Sequence, residues 1–568
     1  MKTHLKLATA FFACLICAGA SAQTLPDAIR LTDNEQYEKA KTEFRQLITK
    51  EPTNGDNFFY FGDLMLKTGD ADSAKALFQK GVDINPMDPL THVGMARYLF
   101  ATGNAAGGEK EIAQAKALVQ TQAGKKDMNM DAKRQTQIDL AIAETEIMSP
   151  TPNFDDAVNM TNQAEKLDPK NANVFLIRGD VLYKKDPVNG TPAITCFLQA
   201  SRLDPHSCKA NVRIGTIYAN GKNMPSAIGY FNVALKTDST FAPAWRMKGE
   251  AEYQIGKFDS AAFCSANYLR LNDDPEARYR QTIFLYEKGA YDDAITQGNI
   301  ALSKDSANII IYRILGRCYY DKKVPDPAMS IQSFNKLFAK QKIYGKPAIL
   351  ADDYVYRGRA ESKAGQDSLA ITDYNTAMKM DTSRHDIYFD VATSYYKMKK
   401  YDMAATYYKK KIDLDPAHAN ISDWNAYGRA LYIQKDFTKA DSAFKKVIQL
   451  DPKNPIGWLY RGKTNALLDP EYKSDSARVF YEHYFDLAIA DKDKNKKDLV
   501  GAAIFLAGYH MVKKDFPCAK GYFQFALDLD PTNASNADVK KQMDTNKDLK
   551  AATAADIGTC KLVPAPGK

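Results

Sequence analysis

The sequence predicts an all-α fold in which helical hairpins are stacked one on the next. One segment of 34 residues, 421–454, carries glycine, alanine and proline at a spacing that suits two antiparallel helices. The same spacing recurs along nearly the whole chain of 568 residues. A single hairpin of this kind cannot bury its own apolar faces, so it requires neighbours on both sides. The prediction is therefore a solenoid of about 13–14 helix-turn-helix units.

Each residue type in segment 421–454 has a physical role in the predicted hairpin. Gly428 has no Cβ, so a neighbouring helix can approach closely there, and Ala440 is small for the same purpose on the second helix. Leu431 and Phe444 supply apolar surface to bury between the two helices. Pro452 ends the second helix, because proline disfavours helical geometry at the preceding residue and lacks an N–H donor.

Repeats of this pattern divide the chain into three predicted parts. Residues 1–22 precede the repeats, residues 23–535 form the solenoid, and residues 536–568 form a polar capping helix and a loose tail. The spacing is regular from Ala172 onward and loosens after Asn454. Insertions are expected near 120–137 and near 471–499, where residues 491–498 read as a charged loop.

The recurring set that includes Trp424, Gly428, Ala440, Phe444 and Pro452 resembles the tetratricopeptide repeat. The resemblance covers nearly all of the chain after residue 22 and is specific, because glycine, alanine and proline recur together many times. It implies a right-handed superhelix whose extended groove binds another protein.

Residues 1–22 are typical of a secretory signal peptide. Lys2 and Lys6 precede a short apolar run, and Ala20-Ser21-Ala22 forms a small-residue cleavage site. Ile16 before Cys17 is a poor lipoprotein signal, so we expect an exported, unlipidated protein, most simply in a periplasm. A retained N-terminal anchor is the alternative. No segment after residue 22 is long and apolar enough to cross a bilayer.

Charge and motifs narrow the functional classes. Removal of the two signal lysines lowers the formal net charge from +8 to +6, and no long basic block argues for nucleic-acid binding. We find no nucleophile elbow, phosphate-binding loop, HExxH or CxxC motif, so neither an enzyme nor a cofactor or metal site is expected. The leading hypothesis is a non-catalytic protein-interaction scaffold in the bacterial cell envelope.

A second hypothesis comes from a different class of protein. Starch-binding SusD-like proteins embed similar helix pairs, so the chain could be a glycan- or nutrient-binding partner of an outer-membrane transporter. Such proteins are usually lipoproteins whose repeats occupy only part of the chain, and both features are missing here. Membrane retention together with a sugar ligand would favour this second hypothesis.

The family resemblance also implies where a partner would bind. In such repeats the first helix lines the groove, and the fifth, ninth, twelfth and thirteenth residues face it. These positions hold Arg246, Tyr253, Tyr279, Tyr286, Arg313, Arg317, Tyr320, Arg359, Lys363, Phe389, Tyr396, Lys397, Arg429 and Tyr432. Arginine and tyrosine suit an extended partner segment with acidic side chains or a C-terminal carboxylate. The alternative is that the tyrosines only pack between adjacent first helices.

Six cysteines follow residue 22, an even number that permits disulfides in an exported chain. Cys196, Cys264 and Cys318 fall at or near helix packing positions and are interpreted as core residues. Cys560 lies in the tail, and Cys518 lies in the last repeat on which that tail would fold back. We therefore predict a Cys518–Cys560 disulfide.

Four Asp-Ser-Ala triplets, which contain Ser73, Ser260, Ser442 and Ser476, stand near the predicted start of a second helix. One interpretation is helix capping, because Asp and Ser side chains accept hydrogen bonds from free N–H groups in a first turn. The other is modification, since the triplet resembles the acceptor of bacterial periplasmic O-glycosylation.

Overall fold

The computed structural model describes residues 24–122, 130–306, 308–344, 349–533 and 536–561, and these residues form helices and no strand. The all-α prediction is confirmed. The chain divides into an N-terminal unit, Met1–Ile314, and a C-terminal unit, Leu315–Lys568. The predicted signal peptide lies outside the described residues.

Helices α1 to α28 follow one another as hairpins, each made of an odd-numbered first helix and an even-numbered second helix. In the N-terminal unit the helices are α1 Leu25–Asp33, α2 Tyr37–Lys50, α3 Gly55–Lys67, α4 Ala71–Ile84, α5 Pro89–Ala101, α6 Ala105–Gln122, α7 Ala132–Glu146, α8 Phe154–Leu167, α9 Ala172–Lys185, α10 Thr191–Leu203, α11 Cys208–Asn220, α12 Met224–Thr237, α13 Ala242–Gln254, α14 Phe258–Leu271, α15 Pro275–Glu287 and α16 Tyr291–Lys304.

Helix α17, Ile310–Asp321, contains the boundary between the units. The C-terminal unit continues with α18 Pro327–Tyr344, α19 Ala351–Lys363, α20 Asp367–Met380, α21 Ile387–Lys397, α22 Tyr401–Leu414, α23 Ile421–Ile433, α24 Phe437–Leu450, α25 Pro455–Leu468, α26 Ser476–Ala488, α27 Lys492–Val512, α28 Phe516–Leu529, α29 Asn536–Thr545 and α30 Lys547–Ala551.

The hairpin of α23 and α24 shows how local sequence sets the helix ends. The Asn420 side chain accepts hydrogen bonds from the backbone N–H groups of Ser422 and Asp423, which caps α23. Lys435 turns the chain with φ 66°, and Asp436 caps α24 by accepting from the N–H of Lys439. Helix α24 ends at Leu450, two residues before the proline that predicts its end.

In several hairpins the core is an aromatic ring placed over a glycine. A Cβ added at Gly428 would lie 2.8 Å from ring atoms of Phe444, and one at Gly215 would lie 2.5 Å from the ring of Phe231. Phe231 and Phe444 are both fully buried. The glycine predicted for close approach is therefore required by the ring of the second helix in the same hairpin.

Three sequence predictions on boundaries need correction. Residues 492–498 are the first turns of α27 rather than a loop, because Asp491 caps the helix by accepting from the N–H of Lys494. Helices α6 and α7 extend into the insertion predicted at 120–137, of which residues 123–129 lie outside the described residues. The tail is held in part, since the N–H of Ala555 donates to the carbonyl of Pro517 at 3.0 Å. Residues 562–568 lie outside the described residues.

The aspartates of the Asp-Ser-Ala triplets make no capping hydrogen bond within the described residues, although Asp72 and Asp259 do lie in the first turns of α4 and α14, where a carboxylate suits the helix dipole. Helix α4 is capped by Asp70 and helix α24 by Asp436, in both cases upstream of the triplet. Asp441, in the second turn of α24, instead accepts from Nε of Arg461 at 2.8 Å. Asp475 does precede α26 but makes no side-chain capping bond there.

The first helices form the inner layer of each unit. Consecutive first helices contact one another, as α3 does with α5, α11 with α13, α19 with α21 and α23 with α25. Within the described residues no two consecutive second helices make a comparable contact. Because helices on the inside of a curved stack lie closer together than those outside, the first helices present the concave surface.

Candidate functional site: the first-helix face

The concave surface of the C-terminal unit carries a row of cations that contact the next first helix. Numbering the repeat from Ile421 as position 1, arginine occupies position 9 of α17, α19 and α23 as Arg317, Arg359 and Arg429. Each reaches the residue at position 6 of the following first helix. We call this surface, from Arg317 to Tyr460, the C-terminal face.

Two of these arginines contact an aromatic ring. The guanidinium carbon of Arg317 lies 4.9 Å from the ring centroid of Tyr356, and that of Arg429 lies 5.8 Å from the centroid of Tyr460. A ring attracts a cation through its quadrupole but carries no opposite charge, so the positive charge persists. Arg317 also lies 3.8 Å from a carboxylate oxygen of Asp352, and its buried Nε has no hydrogen-bond partner among the described residues.

Arg359 differs from Arg317 and Arg429 because it makes a hydrogen-bonded ion pair with a carboxylate. Its Nε and Nη2 lie 2.9 Å and 2.8 Å from one oxygen of Asp390. Burial raises the pKa of Asp390, and the charge of Arg359 opposes that rise. Burial by itself would lower the pKa of Arg359, but the charge and hydrogen bond of Asp390 raise it overall. Arg359 is therefore a structural ion pair, unlike Arg317 and Arg429.

Two lysines add charge to the C-terminal face. Nζ of Lys363 lies 5.0 Å from the ring centroid of Tyr320, and Lys363 is exposed. Nζ of Lys397 donates to the carbonyl of Ser362 at 3.0 Å and to its hydroxyl at 2.9 Å. Neither the ring contact of Lys363 nor the hydrogen bonds of Lys397 bring a negative charge to the lysine. Three cations on consecutive first helices, Lys363, Lys397 and Arg429, thus have no ion pair within the described part of the chain, and Arg317 has only the contact with Asp352 at 3.8 Å.

The predicted aromatic residues pack between helices while keeping part of each ring accessible. Tyr320 meets Tyr356 edge-on with centroids 5.8 Å apart, and Tyr432 meets Tyr460 in the same way at 5.8 Å. All four rings are half-buried. The packing alternative is thereby supported, and it leaves partial ring surface beside the cations.

The other two predicted aromatic residues of this unit pack on second helices. Tyr396 lies edge-on to Tyr401 with centroids 5.2 Å apart, and Phe389 lies edge-on to Tyr408 at the same centroid separation. Both Phe389 and Tyr396 are half-buried, so they border the C-terminal face.

The N-terminal unit places opposite charges at the same two positions. Position 9 of α9 is Asp180, and it accepts from Nε of Arg213 at position 6 of α11 at 2.7 Å. Position 9 of α13 is Glu250, which accepts from Nε of Arg280 at position 6 of α15 at 2.5 Å. Here each arginine has a carboxylate partner, so this surface has a balanced charge where the C-terminal face does not.

The predicted groove residues of the N-terminal unit are mostly engaged within the chain. Arg246 binds Glu35, with its Nη2 and Nε at 2.6 Å and 3.0 Å from the two carboxylate oxygens. Tyr253 stacks on Phe284 with centroids 5.0 Å apart. In this structure Arg246 is therefore not open to an outside carboxylate.

The remaining predicted residues of this unit are half-buried. Tyr286 lies 5.7 Å from Tyr291 between centroids, and burial raises the pKa of Tyr279. Arg313, in the part of α17 that belongs to this unit, is also half-buried.

The cysteines and the modification candidates lie apart from both faces. Cys518 and Cys560 form a disulfide with an S–S distance of 2.10 Å, while Cys264 and Cys318 are buried and Cys196 is half-buried. Ser442 and Ser476 are exposed; Ser73 and Ser260 are half-buried.

One group of donor atoms has the composition of a metal site. Donor atoms of His510, Asp515 and Cys518 lie within 4.8 Å of one another. The sulfur of Cys518 is bonded to Cys560, so it cannot act as a thiolate ligand, and Asp515 already serves as the cap of α28. We assign no metal to this group.

Two features of these surfaces escaped the sequence-based reasoning. Position 6 was not among the positions expected to face the groove, although it supplies Tyr356, Asp390 and Tyr460. Reading position 6 against position 9 of the preceding repeat would have found these pairs. The contact of Glu35 with Arg246 joins residues 211 positions apart, and the repeat pattern carries no signal for it.

No helix within the described ranges combines the length and the apolar character that a membrane span requires.

Comparison with known proteins agrees with the repeat pattern. Models described as tetratricopeptide repeat match residues 31–92, 244–309, 385–418 and 424–454. The human protein named tetratricopeptide repeat protein 6 is 23% identical over 199 residues, which are 34% of this chain. The match spans 36% of the length of that relative.

Solved structures of repeat proteins are also similar. The C-terminal part of a TPR repeat-containing protein from Cytophaga hutchinsonii is 30% identical, with 46% of this chain and 98% of that chain covered and a TM-score of 0.42. The Cut9–Hcn1 hetero-tetramer of APC/C is 15% identical, with 91% of this chain and 95% of that chain covered and a TM-score of 0.32.

Proposed function

Because the chain belongs to the tetratricopeptide repeat family, we propose that it is a non-catalytic scaffold that binds an acidic segment of a protein partner on its C-terminal face. Repeats of this family are protein-interaction modules, which supports a scaffold rather than an enzyme. The observation that carries the choice of face is the row of cations, because Lys363, Lys397 and Arg429 have rings or neutral oxygens as neighbours there and Arg317 has a carboxylate only at 3.8 Å.

The chemistry of this face favours carboxylates over other ligands. Arg317 and Arg429 each present a planar fork that can donate two parallel hydrogen bonds to one carboxylate. The accessible ring surface of Tyr320, Tyr356 and Tyr432 suits apolar side chains between the acidic ones, because aromatic rings bury large area with few rotors. We expect an extended segment that alternates acidic and apolar residues, or one that ends in a free carboxylate.

A peptide titration tests the proposal. The probe is a fluorescein-labelled peptide that alternates glutamate with leucine, and its counterpart has lysine in place of glutamate. We expect the full chain to bind the acidic peptide and not the basic one. Changing Arg317, Lys363 and Arg429 together to alanine should weaken binding by about tenfold or more, because three partly desolvated charges are removed. Arg359 is left intact, since its removal would strand Asp390.

The matched control removes the same charge from second helices. Lys379, Lys445 and Lys446 are exposed residues of α20 and α24, and changing all three to alanine should leave the affinity within about twofold of wild type. If both triple variants bind alike, the partner does not use the C-terminal face. Helical circular dichroism should be unchanged in both variants.

The proposed setting is the bacterial cell envelope, after export and cleavage near residue 22. The Cys518–Cys560 disulfide supports an oxidising compartment, because such bonds rarely persist in a reducing cytosol. Fractionation of cells that produce the full chain tests this: the mature protein should begin near Gln23 and appear in the periplasmic fraction. An intact mass without an added hexose-type mass would rule out the hypothesis of O-glycosylation at the exposed Ser442 and Ser476.

A further inference from the structure

The turn between α1 and α2 lies against three helices far along the chain in the N-terminal unit. Asp33 at the end of α1 contacts α11, and the turn residues Asn34 and Glu35 contact α13, α14 and the cap of α14. These contacts join residues more than 170 positions apart, whereas the repeat architecture by itself joins only neighbouring hairpins. The turn therefore makes an additional contact that the repeat pattern does not require.

The carboxylate of Glu35 is bound as a ligand would be. Arg246 donates from Nη2 at 2.6 Å to one oxygen and from Nε at 3.0 Å to the other. The hydroxyl of Tyr268 donates to the second oxygen at 2.9 Å. A guanidinium fork assisted by a hydroxyl is a strong arrangement for holding a carboxylate, because the bonds are charge-assisted and fixed in direction.

Contacts on either side of Glu35 hold the turn in place, while the side chains of Arg246 and Glu35 remain 29% and 15% exposed. The carbonyl of Asn34 accepts from Nδ2 of Asn272 at 3.1 Å, and these two residues are 5% and 6% exposed. Asp33 pairs with Lys209 at 2.5 Å. Because the hydrogen bond is buried beside the ion pairs, salt screens this set less than an isolated surface pair.

The turn itself does not need a glutamate. Glu35 has φ 58°, and the residues with positive φ in other hairpin turns are glycines, such as Gly69 and Gly256, or lysines, such as Lys222 and Lys435. Lysine or glycine would thus serve the turn equally well. The carboxylate at this position is explained by Arg246 and Tyr268 rather than by the local backbone.

We propose that Asp33, Asn34 and Glu35 form a clasp, an internal acidic ligand that ties the first hairpin to α11, α13 and α14 and occupies Arg246. While the clasp is closed, the N-terminal unit offers no open guanidinium fork at Arg246 to an outside carboxylate. The clasp also secures α1 and α2, whose other packing partner among the described residues is α3. The proposal stands independently of partner binding on the C-terminal face.

Variants of the full chain that reverse or swap the charges of Glu35 and Arg246 test the clasp. Hydrogen–deuterium exchange is followed in residues 24–50 of wild type, Glu35→Lys, Arg246→Glu and the double variant that carries both changes. Each single change should raise exchange of α1 and α2 by about tenfold or more, since it places like charges together. The double variant restores an opposite pair, so its exchange should return to within about threefold of wild type.

The control is Glu38→Lys, which makes the same charge change at an exposed side chain of α2 that is 82% accessible. It should leave exchange within about twofold of wild type. Single variants whose α1 and α2 exchange at the wild-type rate would overturn the clasp. A double variant whose α1 and α2 exchange as fast as in the single variants would also overturn it. Affinity of the acidic peptide for the C-terminal face separates the two proposals, because opening the clasp should not weaken it.

Discussion

The two units use the same repeat positions with opposite charges. In the N-terminal unit position 9 is acidic in three first helices, as Asp63, Asp180 and Glu250, whereas in the C-terminal unit it is arginine in three, as Arg317, Arg359 and Arg429. In α25 it is Lys463, which pairs with Asp498. The acids of the first set face arginines, while two of the three arginines of the second set face tyrosine rings. The comparison teaches that one backbone architecture can line its inner face either with ion pairs between neighbouring helices or with cations that contact aromatic rings.

The largest expected difference between the units concerns a buried arginine. Arg97 is 4% exposed, and its guanidinium binds Asp63 at 2.6 Å and Glu144 at 2.5 Å. The Arg97→Ala change should destabilise the N-terminal unit by roughly 3–5 kcal/mol, because it removes a buried side chain and leaves the buried carboxylate of Asp63 with Lys67 as its cation. Arg429→Ala in the C-terminal unit should cost less than about 1 kcal/mol, since Arg429 is exposed. Unfolding free energies from hydrogen exchange measure the stability loss of each variant in its own unit. Equal losses for the two variants would contradict the difference between the units.

The second difference concerns how the chain ends are held. The first hairpin is held by ionic contacts, whereas the tail is held by the Cys518–Cys560 disulfide, whose cysteines are 42 residues apart. Changing Cys560 to serine should lower the stability of the region from α28 to α30 by roughly 3–4 kcal/mol on the chain-entropy account. Exchange of α1 and α2 should not respond. Non-reducing peptide mapping that finds both thiols free in periplasmic protein would contradict the bridge.

A third test uses pH on a buried carboxyl of the N-terminal unit. Asp139 is 1% exposed, and burial raises its pKa to about 7. Since the folded pKa lies above the unfolded value of about 3.9, the folded state binds the proton more tightly. Stability from this group is complete below pH 4 and is lost as pH rises through 7.

The stability of the Asp139→Asn variant relative to wild type should therefore rise between pH 5 and pH 8, by on the order of 2 kcal/mol. Thermal denaturation at the two pH values measures the change. The C-terminal unit has a counterpart in Glu361, whose pKa is raised to about 7 by burial and by Asp373 while Arg357 opposes. A pH-independent difference for Asp139→Asn would show that the carboxyl titrates normally.

The smallest expected difference is between packing sites, where the units should behave alike. Gly215→Ala and Gly428→Ala would place a Cβ 2.5 Å and 2.8 Å from the rings of Phe231 and Phe444. Each should cost roughly 1–3 kcal/mol, because a buried ring must move. Gly229→Ala is the matched control: nothing lies within 4 Å, and it should stabilise α12 by about 0.5–1 kcal/mol. Unequal costs at Gly215 and Gly428 would show that the units differ in packing as well as charge.

Prediction from sequence succeeded where residues close in the chain decide the structure. Gly428, Phe444 and Pro452 lie within one hairpin, and their spacing correctly predicted its two helices and their packing. It failed where polarity was taken as a sign of a loop, as at 492–498, because a capped segment can be both charged and helical. The prediction of capping hydrogen bonds by the Asp-Ser-Ala triplets failed for a related reason, since Asp70 and Asp436 stand at the true helix starts.

The sequence by itself determined the all-α repeat fold, since a 34-residue period fixes which residues each hairpin buries and so which helices pair. It also determined which cations stand on the first helices. Only the tertiary structure decided which of these cations are neutralised. Arg359 meets Asp390, Arg429 meets Tyr460 and Arg246 meets Glu35, and these partners lie 31, 31 and 211 residues away. The physical reason is that a charge is compensated by what lies beside it in space, and a local repeat does not encode that.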